Sequence, residues 1–67
     1  MSKVKYEIRD SHGFSERYND QREAFKWAVR WAEFDSFVTM AQIVWNGPEI
    51  ISKKVCKVFA DGRYKVF

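Results

Sequence analysis

A chain of 67 residues with one cysteine, one histidine and a net charge of +3 is one domain, and at that length it buries only about 60% of the surface its unfolded form exposes. The lone Cys56 excludes an internal disulfide, and Cys56 with His12 leaves too few soft ligands for a zinc site. Twelve Phe, Trp and Tyr residues supply what these staples would otherwise give, because each buries roughly 150–250 Å².

The opening Met1-Ser2-Lys3-Val4-Lys5 has no signal-peptide apolar run, and Ser2 stands where a myristoyl anchor needs glycine. A cytoplasmic protein without membrane association is expected. Val4, Tyr6 and Ile8 then alternate with Lys3, Lys5, Glu7 and Arg9, the period-two pattern of a strand with one buried and one wet face. Asp10-Ser11-His12-Gly13 predicts a type I turn with glycine last. Residues 14–18 follow as a short strand or an extended loop.

Asp20 is the expected N-cap of a helix over residues 21–34, and Glu23 is placed to close a capping box. At 100° per residue Ala24, Ala28 and Ala32 centre one face, flanked by Phe25, Val29 and Trp31. Arg22, Glu23, Lys26, Arg30 and Glu33 cluster opposite. Trp27, Trp31 and Phe34 form an aromatic stripe along one edge of the apolar arc. Residues 37–45 and 50–59 are rich in β-branched and aromatic side chains and are separated by Asn46-Gly47-Pro48, a turn signal. Asp61-Gly62 predicts a two-residue type I′ hairpin. That loop would put Phe59 opposite Tyr64 and Lys57 opposite Val66, with Val55, Phe59, Tyr64 and Val66 on the core face. The sum is an α+β domain, one amphipathic helix packed on a small, mainly antiparallel sheet in the order β-(β)-α-β-β-β.

Catalysis needs convergent groups, and the sequence offers none. The three glycines end turns rather than cradle phosphate. Ser11 beside His12 lacks an orienting partner, and Cys56 reads as a small apolar strand residue. No catalytic residue, cofactor or metal is expected.

Two surfaces stand out instead. Residues 1–48 hold seven basic and seven acidic side chains, whereas Lys53, Lys54, Lys57, Arg63 and Lys65 face only Glu49 and Asp61 in the remainder. These cations have three uses: a solvated sheet edge that blocks aggregation, a phosphate-binding surface with Trp45 or Phe67 stacking on bases, or a docking face for an acidic protein. The stripe Trp27, Trp31, Phe34 is either core or a partner surface, including one for homodimerisation.

In size, charge and strand–helix–strands order, carried by the Val4, Tyr6, Ile8 strand, the helix after Asp20 and the Asp61-Gly62 hairpin, the chain resembles small phage accessory proteins such as anti-CRISPR inhibitors and antagonists of host toxins. The resemblance implies a non-enzymatic inhibitor or adaptor in the host cytoplasm. Its partner would be a host protein or complex, engaged at a surface that often meets nucleic acid. The alternative is a small RNA- or single-stranded-DNA-binding domain using the basic C-terminal strands.

Overall fold

Strand β1 (Lys3–Arg9) turns at Asp10 into β2 (Ser15–Tyr18), the chain crosses as helix α1 (Gln21–Ala32), and three further strands follow: β3 (Val38–Asn46), β4 (Glu49–Val58) and β5 (Tyr64–Val66). The computed structural model describes residues 3–67. All four strand pairings are antiparallel, in the spatial order β2-β1-β3-β4-β5. The helix packs on one face of this sheet, an α+β layout.

Local chemistry sets the connections. Asp10 accepts the amides of His12 at 3.0 Å and Phe14 at 2.9 Å, and Gly13 takes φ +90°, closing the expected turn and making residues 15–18 a strand. Asp20 caps the helix by accepting the Arg22 amide at 3.1 Å. Gly47, at φ +61°, opens a two-residue loop with Pro48 between paired Asn46 and Glu49, where a II′ turn requires positive φ at its first central residue.

Ala24, Ala28 and Ala32 are buried against Ile8, Val38, Met40, Cys56 and Val58. The small side chains let the helix backbone approach the sheet, as the face analysis predicts. Ala28→Leu is therefore expected to overpack this seam and cost about 1–3 kcal/mol in denaturant unfolding.

The helix is shorter than its sequence pattern. After Ala32 the amides of Glu33, Phe34 and Asp35 bond to the carbonyls three residues back, at 3.0–3.2 Å, a tightening common at helix ends. Phe34 thus leaves the helix and is 87% exposed, so the three aromatics do not form one continuous flank.

The last hairpin also differs from expectation. Phe59 donates to the Arg63 carbonyl at 2.9 Å and Gly62 to that of Phe59 at 3.0 Å. Among the described residues none other than glycine has positive φ, and Gly62 sits at +86°. The loop is therefore Ala60-Asp61-Gly62, a three-residue connection with glycine in the left-handed position, because Asp61 bonds the Arg63 amide at 3.0 Å without turning left-handed itself. The register moves by one: Val58 faces Tyr64, Lys57 faces Lys65 and Cys56 faces Val66. Cys56 and Val58 enter the core in place of Phe59, while Tyr64 and Val66 stay 62% and 65% exposed.

Candidate functional site

A single helix covers one face of a five-stranded sheet, and the pairing registers say what the other face carries. Residues directly opposite in antiparallel strands share a face. Starting from Glu7, whose neighbours Ile8 and Tyr6 point to the helix side, the helix-free face can be walked in rows across the strands. One row is Arg17, Glu7, Ala41, Lys54; the next is Ser15, Arg9, Thr39, Lys57, Lys65. Toward the other end come Lys5, Ile43, Ser52 and then Lys3, Trp45, Ile50. Seven of the chain's twelve cations thus share one face, in whose paired rows the one carboxylate is Glu7.

Two irregularities of β4 and β5 gather these charges. Lys54 and Lys57 are three apart in one strand, a spacing that normally sends side chains to opposite faces. A bulge between the Met40–Cys56 and Ala41–Lys54 pairs inserts Val55 as an extra residue, which flips the alternation and returns Lys54 to the face of Lys57. The three-residue hairpin loop then sets Lys65 directly opposite Lys57. Like charges directly opposite across strands are destabilising, so this arrangement disfavours the free protein and favours an anion placed over it.

The carboxylate in this field is already paired. Glu7, whose side chain is 11% exposed, accepts from Arg17 Nε at 2.9 Å and Arg9 Nη2 at 3.2 Å. Aromatic rings punctuate the face, each with a cation on it: Arg17 lies 5.5 Å from the Trp45 ring, Lys57 4.5 Å from Phe37 and Lys54 5.6 Å from Phe67. Among the rows lies a shallow depression of about 280 Å³ of mixed polar and apolar lining, where Arg9 and Lys54 meet Glu7 and Asp10 beside Thr39, Ser52 and Phe37.

The residues singled out by sequence fall into separate places. Lys54, Lys57 and Lys65 join this face. Lys53 pairs with Gln42 and so lies on the helix side, and Arg63 sits in the hairpin connection, 3.1 Å from Asp61. Trp27 and Trp31 are partly buried against the core, with Lys26 and Arg30 both over the Trp27 ring. Lys3, Lys5, Arg9 and Arg17 are the members that counting charge along the chain misses, because the first 48 residues balance to zero. For Lys3, Lys5 and Arg9 the signal was the alternation in β1, which marks them as one wet face without saying that Arg17, β4 and β5 share it.

Ser11, His12 and Asp35 also come together, which the sequence does not predict. Ser11 donates to Asp35 through its amide at 2.8 Å and through its hydroxyl at 2.7 and 2.9 Å. His12 Nδ1 lies 3.7 Å from the same carboxylate, so the imidazole does have a partner. The serine hydroxyl is bound to the carboxylate rather than to the imidazole, unlike a nucleophile and its base. Asp10, His12 and Asp35 hold potential ligand atoms within 4.8 Å of one another, yet both carboxylates already accept backbone amides, and the cluster ties the β1–β2 turn to the end of α1. The Ser11 hydroxyl and amide, with the Ser36 amide, hold the Asp35 carboxyl below its ordinary value. A depressed folded pKa gives stability that is present above the unfolded value near 3.9 and lost as pH falls through the folded one. Acid unfolding should show this loss, and Asp35→Asn should flatten that part of the stability profile. Cys56 is buried, and its burial pushes the thiol pKa up, as fits an inert strand residue.

No helix among the described residues is long and apolar enough to cross a membrane. No protein-family model matches the sequence, no curated protein matches it, and no solved structure matches the chain.

Proposed function

We propose that the chain is a non-enzymatic binding module whose helix-free sheet face takes single-stranded nucleic acid. The observation that carries this reading is the sharing of one open face by Lys3, Lys5, Arg9, Arg17, Lys54, Lys57 and Lys65 with one neutralised carboxylate in its rows and the rings of Trp45, Phe37 and Phe67. A positive surface tracks phosphates while rings stack bases, and each cation now lying on a ring is displaceable by a base of comparable stacking strength. Width argues for single strands. Five strands at about 4.8 Å spacing span roughly 19 Å, too wide for a major groove of about 12 Å, which admits a helix or a two-stranded ribbon.

A second reading keeps the inhibitor or adaptor of a host protein, and the exposed apolar side chains Tyr64, Val66 and Phe67 favour it. On that reading the basic face meets an acidic protein surface. It does not suit the nucleic-acid groove of a host enzyme, since such a groove is itself positive and would repel these seven cations.

The two readings separate in a titration of labelled single-stranded DNA and RNA. If four phosphates are contacted, log affinity should fall against log salt with a slope of about −3, at roughly −0.7 per phosphate, and duplex of the same length should bind more weakly. Absence of binding to either single strand at low salt overturns the proposal.

A further inference from the structure

The sheet ends on β5, and that edge is unusually open on its helix side. The Arg63 carbonyl accepts from Phe59 and the Phe67 amide donates to the Val55 carbonyl, so those residues turn their backbone groups toward β4. By the alternation of an antiparallel pair, Tyr64 and Val66 turn theirs outward. Their side chains line an apolar groove of about 560 Å³, with Phe25, Met40, Val55 and Cys56 among its walls. Phe25 meets Tyr64 edge-on at 5.9 Å, and Gln21 and Arg22 complete the helix side of the groove. On the opposite face of the same strand stands Lys65, across from Lys57.

We propose that β5 is a docking edge that receives an extended segment of another protein as a sixth strand, with apolar residues alternating with Asp or Glu. Period two forces this composition. Every second side chain of an added strand would enter the groove beside Tyr64 and Val66, and those between would lie next to Lys65 on the basic face. Outward N–H and C=O groups supply the pairing, the groove supplies side-chain preference, and the facing lysines supply the charge that selects acid over base. A second copy of the chain fits less well, because pairing β5 with itself sets Lys65 against its own sign. A short edge strand bearing lysine is also the usual guard against aggregation; that guard does not call for an apolar groove beside it. The inference stands independently of nucleic-acid binding.

The probes are three fluorescein-labelled peptides of roughly eight residues, a usual strand length. One alternates Val or Phe with Glu, one replaces Glu by Lys, and one keeps the first composition with its acidic and apolar residues in separate blocks. Anisotropy should show the alternating acidic peptide binding at least about tenfold more tightly than either control, with amide shifts in NMR centred on residues 64–66. Lys65→Glu should remove that preference. Val66→Pro, which removes an outward N–H together with the Val66 side chain's place in the groove wall and is tolerated on edge strands, should weaken binding by a further route, with circular dichroism checking that both variants fold. Equal binding of the block peptide, equal binding of the Lys peptide, or a dimer in light scattering that Val66→Pro dissociates would overturn the proposal. Single-stranded nucleic acid binding by Val66→Pro at wild-type strength keeps the two sites distinguishable.

Discussion

Ile8→Ala is expected to lower the unfolding free energy by about 2–5 kcal/mol, the usual cost of such a truncation in a packed core. A domain of this length has a stability of only about 3–10 kcal/mol at the ordinary 0.05–0.15 kcal/mol per residue, so the variant should lose a large part of it. The reason lies in how one-sided the core is, with Ile43 its one buried hydrophobic on the helix-free face among the described residues. One helix covers one face, and the largest fully buried side chains are Ile8, Val38, Met40 and Val58. Ile8 lies beside Met40 in the central strand pair, under the alanine seam, where a helix held close by small residues has little freedom to collapse into a cavity. Val4 gives the control. It lies on the same strand and face but is 37% exposed, so Val4→Ala should cost well under half as much. Urea unfolding with an unchanged m-value reads both, and equal losses would show that the core does not end where the helix does.

The same strand shows what the sequence can and cannot reveal. The alternation from Lys3 to Arg9 identifies which side chains of β1 are wet, the Asp10 turn and the Asp20 cap place the element boundaries, and the alanine spacing identifies the helix face against the sheet. These are local signals, each complete within a few residues. The last hairpin is different, because Asp61-Gly62 is compatible with a two-residue or a three-residue loop. The choice depends on which of Phe59 or Val58 gains more by burial under the helix, a tertiary question. The bulge at Val55 has no local signature either. It arises where β4 must keep Cys56 and Val58 inward while continuing along β3, and it decides the face of Lys53 and Lys54. Counting charge along the chain therefore finds part of the group on the helix-free face, Lys54, Lys57 and Lys65, includes Lys53 and Arg63 with it, and overlooks the four cations of β1 and β2.

That difference makes the decisive experiment one of placement rather than of total charge. Two double variants, Lys54→Glu with Lys57→Glu and Lys53→Glu with Arg63→Glu, change the net charge equally and lie in the same stretch of sequence. Only the first pair stands on the helix-free face, where Lys54 neighbours Ala41 and Lys57 neighbours Thr39 and Lys65. Each charge-assisted contact to phosphate is worth about 1.5–3 kcal/mol, so losing two should weaken single-strand binding by about 100-fold or more, at 1.4 kcal/mol per tenfold. The salt slope should fall by roughly 1.4, the share of two phosphates. The second pair should act only through long-range attraction, screened over about 10 Å at 0.1 M salt, and cost a few-fold that fades as salt rises. Stability gives an independent reading of the same geometry: Lys57→Glu removes a repulsion with Lys65 and should leave the protein as stable as before or more so, by a few tenths of a kcal/mol. A binding loss that is equal for the two pairs would mean that the chain attracts anions by its overall charge, and that the helix-free face has no special part in it.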